Sequence, residues 1–135
     1  MAVPIRQISE IAIVVTDLDR SVRFYSEVLG MPIVDRQADH ATLRSGNGFI
    51  GLWLPGAWEL PISDKWAPIR LDGGCRQHFG FWIHNDDAVA ALENLKRHNV
   101  TYYGPRYHGG EMHLDFEDPD GHLLEYWSRA SFETP

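Results

Sequence analysis

Five side chains of the kinds that move protons or hold cations fall in short, strand-like runs of this chain: Glu10, His78, His113, Asp115 and Glu125. An imidazole exchanges a proton near neutral pH, and a carboxylate can act as a base or share a cation. Their use depends on whether the backbone turns them to one side. Successive residues of a strand point to opposite faces, so parity along each run decides this. In Glu10-Ile-Ala-Ile-Val-Val, Glu10, Ala12 and Val14 share one face while Ile11, Ile13 and Val15 share the other. A carboxylate does not belong against a helix-packed core, so the Ile11 face is expected to meet a helix. The same logic in His78-Phe-Gly-Phe-Trp-Ile groups His78, Gly80 and Trp82 away from Phe79, Phe81 and Ile83. Further on, Met112, Leu114 and Phe116 alternate with His113, Asp115 and Glu117, and Leu123, Glu125 and Trp127 share a face. With the apolar sets against helices, His113, Asp115 and Glu125 turn to the concave side, and Trp82 and Trp127 line it with them.

The elements that carry these residues repeat. From Glu10 a β-branched run leads to Asp-rich capping residues and a helix over 17–29, with Val22, Tyr25 and Leu29 at helical spacing and Gly30 as its stop. From His78 an apolar run leads to Asn85, Asp86 and Asp87 as cap candidates, then to an Ala88, Leu92, Leu95 stripe ending near Asn99. Strands are expected at 33–36, 41–45 and 49–54 after the first helix, and at 101–106, 111–117 and 122–127 after the second. The last two join at Asp118-Pro119-Asp120-Gly121, whose Pro and Gly suit a tight turn. Each half reads βαβββ, an internal duplication in which Glu10 and His78 hold equivalent places. The expected limits are 1–62 for the first module, 63–76 for a connecting loop and 77–135 for the second module.

A chain of 135 residues with 44% hydrophobic content fills one ordinary domain or two half-domains with a shared core. A net charge of −7 with scattered Lys and Arg argues against nucleic acid or an anionic membrane as partner, and for a small molecule. The N-terminal residues have no signal-peptide core and no run approaches the roughly 20 apolar residues of a membrane span, so the expected location is the cytoplasm. Cys75 is the sole cysteine, which excludes an intrachain disulfide, and a lone loop cysteine is read as inert. The connection 55–76, rich in Pro and Gly and carrying Trp58 and Trp66, suits a lid or a partner contact. Gly104 to Gly110 is expected to be a flexible segment, either one from which Arg106 or Tyr107 clamps an anionic group or a plain surface turn. His40, His84, His98 and His108 fall in expected loops or at helix ends and receive no role. Trp82 and Trp127 beside the polar residues suit an aromatic or flat apolar ligand.

Two segments resemble a known family. IAIVVTDLDRSVRFYSEVLG at 11–30 resembles the opening module of the glyoxalase, bleomycin-resistance and extradiol dioxygenase superfamily, also called the vicinal oxygen chelate superfamily, and DPDGHLLEYW at 118–127 is similar to its closing hairpin. The module order covers nearly the whole chain. The resemblance implies an α+β fold whose two βαβββ modules form a cupped, partly open, barrel-like sheet around one site. It also implies a divalent metal held at the positions of Glu10, His78 and Glu125. Position 10 carries Glu where relatives usually have His, a set that neutralises a 2+ charge and favours Mn²⁺, Mg²⁺ or Zn²⁺ over the two-His-one-carboxylate Fe²⁺ site of the dioxygenases. Glyoxalase I relatives draw a further ligand from the last strand of the first module, here Phe49-Ile-Gly-Leu-Trp-Leu, which offers none. Fosfomycin resistance relatives use hydroxyl side chains where this chain has His113 and Asp115.

The resemblance thus points to a metal-dependent enzyme on a small oxygen-bearing molecule, of lyase, isomerase, group-transfer or dioxygenase-like chemistry. Glu10 and His113 are its catalytic candidates, and Trp82, Asp115, Trp127 and Arg106 its substrate contacts. It implies a homodimer as well. The alternative is a metal-free, bleomycin-resistance-like protein that sequesters an aromatic compound, its polar groups hydrogen-bonded to one another.

Overall fold

The computed structural model describes residues 1–57 and 77–131. The architecture is α+β, with two four-stranded mixed sheets, neither of them closed. The chain divides into two compact units, Met1–Pro61 and Ile62–Pro135. Trp58, Trp66, Cys75 and the expected connecting loop 63–76 lie outside the described residues.

In the first unit, β1 (Glu10–Val14) runs into a helix whose start is set by Asp17. Its Oδ1 accepts from the Arg20 backbone N–H at 3.0 Å and so satisfies one of the donors a helix leaves open at its first turn. The expected single helix divides into α1 (Leu18–Arg23) and a π-type turn, Phe24–Val28, closed by Leu29 N–H on the Phe24 carbonyl at 3.1 Å. Gly30 follows with φ +75°, the left-handed conformation in which glycine ends helices. Strands β2 (Ile33–Arg36), β3 (His40–Ser45) and β4 (Gly48–Trp53) complete a sheet of order β1-β4-β3-β2, with β1 parallel to β4. Val15, Ala41, Leu43, Ile50 and Leu52 are buried, as are Leu18, Val22, Phe24 and Tyr25 of the helical segment. Glu10, Ala12 and Val14 lie exposed on the other face, as their parity requires.

The second unit repeats the pattern. β5 (His78–His84) leads through a 3₁₀ turn, Asn85–Asp87, into α2 (Ala88–Arg97), and β6 (Tyr102–His108), β7 (Glu111–Glu117) and β8 (Leu123–Arg129) follow. The order is β5-β8-β7-β6, with β5 parallel to β8. Leu95 of α2 and Met112, Leu114, Phe116 and Leu124 of the sheet are buried. The cap differs from expectation. His84 Nδ1, not an Asn or Asp side chain, accepts from Asp86 N–H at 3.2 Å, and Asp87 makes no side-chain cap bond. The segment expected to be flexible from Gly104 is strand as far as His108, where cross-strand pairing with β7 holds it. Only Gly109 and Gly110 turn, both at positive φ. Among the described residues no helix is long and apolar enough to cross a membrane.

Candidate metal centre and acid–base site

Parallel pairing of β5 with β8 sets Gly80 opposite Glu125 and Trp82 opposite Trp127, while antiparallel pairing of β8 with β7 sets Glu125 opposite Asp115 and Trp127 opposite His113. One face of the sheet therefore gathers His78, His113, Asp115, Glu125, Trp82 and Trp127. Glu125 is only 8% exposed, and a carboxylate taken so far from water needs partners. It has two imidazoles. His113 Nδ1 lies 2.8 Å from Oε1, and His78 Nε2 lies 3.3 Å from Oε2. Because the carboxylate accepts, His113 carries its proton on Nδ1, and Nε2 is then the lone-pair position of the neutral ring.

Asp115 adds a second carboxylate. One ligand-type atom each from His78, Asp115 and Glu125 lie within 4.8 Å of one another. Two carboxylates at that range repel, and a cation offsets the repulsion. One imidazole nitrogen with two carboxylate oxygens is a donor set that suits Zn²⁺ or a harder divalent ion, so these residues fit the metal expected for the fold. Arg106 supplies positive charge from the side, its Nη2 donating to Asp115 Oδ2 at 2.7 Å. A bulge makes this possible. Pairing shifts between Tyr103 and Arg106, which inserts one residue in β6, so Tyr103 reaches Glu117 with its hydroxyl at 3.1 Å and Arg106 reaches Asp115 on the same side.

The two tryptophans are held at their edges. Trp127 Nε1 donates to Glu111 Oε2 at 2.7 Å, Arg129 lies over the ring at 4.9 Å, and the His113 ring stacks on it at 5.2 Å. Trp82 Nε1 donates to the Arg129 carbonyl at 3.4 Å. Both indoles remain substantially exposed, open to a flat ligand. Tyr126 faces the opposite way into the core, where burial pushes its phenol up to about 12.

In the first unit, Glu10 stands beside Gly51 and Trp53 on the sheet face away from the helix. His40, expected in a loop and given no role, opens β3 opposite Trp53 and stacks on it at 4.3 Å, as His113 stacks on Trp127. The repeated His–Trp register is the signal that reveals this pair. A cavity of about 190 Å³ on this unit is lined by Ala12, Ile13, Val14, Trp53, Leu54 and Gly56. Thus His78, Asp115 and Glu125 come together, with His113 on Glu125 and Arg106 on Asp115. Asp115, expected as a substrate contact, lies among the candidate metal ligands.

A lactoylglutathione lyase of Neisseria meningitidis is 32% identical over 122 residues, spanning 87% of this chain and 86% of its own. One of Haemophilus influenzae is 31% identical over 123 residues, spanning 87% and 88%. The crystal structure of lactoylglutathione lyase from Agrobacterium tumefaciens superposes with a TM-score of 0.75 at 20% identity, over 97% of this chain and 99% of that one. The fosfomycin resistance protein FosX from Mesorhizobium loti gives 0.70 at 18% identity, over 93% and 94%. These two structures share the fold. The family model described as Glyoxalase/Bleomycin resistance protein/Dioxygenase superfamily matches residues 7–126, and with the duplicated βαβββ units and the polar sheet face it establishes that the chain belongs to this superfamily.

Proposed function

We propose that the protein is a divalent-metal-dependent lyase or isomerase acting on a small molecule with two neighbouring oxygens. The observation that carries this reading is the convergence of His78, Asp115 and Glu125 on one sheet face. Relatives named lactoylglutathione lyase support the lyase class and suggest a thioester bearing an adjacent oxygen as substrate. His78 and Glu125 would hold the ion with Asp115 as a further oxygen donor, and Glu10, the repeat counterpart of His78, is a further candidate ligand. A divalent ion held by these residues, whether Zn²⁺, Mn²⁺, Mg²⁺ or Fe²⁺, would supply Lewis-acid stabilisation of negative charge on the substrate.

The remaining steps belong to side chains. His113 holds Glu125 through Nδ1 and accepts a substrate proton at Nε2. Glu10 is the alternative base when it does not ligate. Trp82 and Trp127 receive the flat part of the substrate, and Arg106 meets an anionic end. The proposal includes a cytoplasmic homodimer with modules at 1–62 and 77–135.

A second reading, a metal-free protein that sequesters an aromatic compound, draws on one observation: His113 and His78 engage both oxygens of Glu125. Elemental analysis of protein purified without chelator, coupled to a thioester assay with lactoylglutathione, separates the two. About one divalent ion per chain with metal-dependent turnover supports the enzyme. Metal-free protein whose Trp fluorescence is quenched by aromatic ligands, with no turnover, supports sequestration.

A further inference from the structure

Glu111 opens β7 outside the candidate metal group, yet both of its carboxylate oxygens are engaged. Oε2 accepts the Trp127 indole N–H at 2.7 Å, and Oε1 accepts the Arg129 Nε–H at 3.3 Å. Register explains the reach. His113 lies opposite Trp127 in the antiparallel β7–β8 pair, so Glu111, two residues back along β7, and Arg129, two residues on along β8, share that face. Glu111 therefore faces Arg129 and meets Trp127 on the diagonal, a separation that long side chains span.

An indole that is 38% exposed has room to change rotamer unless something holds it. Glu111 holds Trp127 in two ways. The indole N–H ends on the carboxylate in a charge-assisted bond, and the guanidinium that Glu111 keeps in place lies over the ring at 4.9 Å. The His113 ring stacks on the same indole at 5.2 Å, while its Nδ1 lies on Glu125. Contacts thus run from Glu111 through Trp127 and His113 to Glu125. The first unit supplies the comparison. His40 stacks on Trp53 in the same cross-strand register, but Ala38 stands two residues before His40 and Pro55 two residues after Trp53. The stack forms there with neither a carboxylate nor a guanidinium at those places, and the clamp sits in the unit that gathers His78, Asp115 and Glu125. Stability gives it little reason to exist, because a partly exposed ion pair contributes little.

We propose that Glu111 is a positioning residue: by holding the Trp127 edge and the Arg129 guanidinium together, it fixes the aromatic surface that receives the flat part of a ligand. This rests on the reading above that Trp127 takes the flat part of the substrate, and it adds the side chain that sets how tightly. A ligand that meets an already ordered indole does not bear the loss of that side chain's freedom on binding.

The test uses 2-naphthol, a flat and neutral probe, titrated by calorimetry into wild type, Glu111→Ala, Glu111→Gln, Trp127→Phe and Glu111→Ala/Trp127→Phe. Far-ultraviolet circular dichroism and urea midpoints check folding. Solvent exchange of the Trp127 indole N–H, followed by ¹⁵N NMR and assigned with Trp127→Phe, reads the clamp itself. Glu111→Ala should speed that exchange by about tenfold or more and weaken 2-naphthol binding by about fivefold. Glu111→Gln, which keeps an acceptor for the indole, should lose less of both. In the Trp127→Phe background Glu111→Ala should change affinity by less than about twofold, because its effect passes through the indole. Unchanged affinity in Glu111→Ala, with a loss in Trp127→Phe, overturns the positioning role and leaves the ligand face intact. Equal losses from Glu111→Ala in both backgrounds overturn it as well. Wild type that does not bind 2-naphthol, or Trp127→Phe that binds it equally well, removes the flat-ligand reading and this inference together. Should Glu111→Ala not fold, Glu111→Asp, which keeps the charge and shortens the reach, decides: unchanged affinity overturns the proposal, and a loss that vanishes in the Trp127→Phe background upholds it.

Discussion

Glu125 and Asp115 lie side by side on adjacent strands, but their partners differ in kind: imidazoles for the buried one, an exposed guanidinium for the other. Arg106 is 56% exposed on its side chain, so its pair with Asp115 is screened and worth at most about 1 kcal/mol. Arg106→Met should therefore change the urea midpoint little. It should strengthen divalent-ion binding by several-fold, because it removes the cation that competes for Asp115; weaker binding in calorimetry would contradict a ligand role for Asp115. Tyr126 gives a second prediction, with a defined sign. Its phenol is raised from 10.0 to about 12 by burial, so between these values the native state holds a proton that the unfolded chain has released. Stability is fully present below pH about 10 and falls as pH rises toward about 12, by no more than a few kcal/mol at about 1.4 kcal/mol per pKa unit. Urea unfolding at stepped alkaline pH checks this, and Tyr126→Phe should remove that part of the decline. The polar residues of the second unit were legible in the sequence because strand parity is strict. Asp115's company with His78 was not, since parity gives a face but no lateral register.

At the level of elements, the strands of the first module emerge where alternation and turns require them, with β2 at 33–36 as expected. The departures have local causes. Gly104-Pro105 reads as loop, but a glycine and a proline are also what a bulged edge strand tolerates, and β6 is such a strand. His40 reads as loop because the Asp39-His40 step follows a bend, and only the cross-strand partner Trp53 reveals it as strand. The π-type turn at Phe24–Val28 has no sequence signal, because helical periodicity does not distinguish one extra residue per turn. Two bonds test the elements themselves. Asp17→Ala should cost about 1 kcal/mol in chemical denaturation by removing the cap on α1. Ser128→Ala should cost about 1–3 kcal/mol, because its Oγ accepts the buried Met112 N–H at 2.8 Å and joins β7 to β8.

For the molecule as a whole, the duplication is the organising fact: two units of one pattern, each with an apolar sheet face under its helix and a polar face bearing a His–Trp stack. The repeat was visible in sequence because Glu10 and His78 open matching runs, and the resemblance carried by residues 11–30 and 118–127 agrees with the superfamily that the family model matches over residues 7–126. The proposed homodimer follows the commonest symmetry of soluble oligomers. Sedimentation equilibrium at micromolar concentration should give twice the 15.4 kDa chain mass, and a mass of one chain would exclude it.

The central claim, that the His78, Asp115 and Glu125 face binds a divalent ion, is tested most directly by calorimetric titration of chelator-stripped protein with Zn²⁺ or Mn²⁺, in the wild type and in Glu125→Gln. The account predicts saturable binding of about one ion per chain in the wild type, weakened by about tenfold or more in the variant while it stays folded. Absence of saturable binding, or equal binding by both proteins, would contradict it.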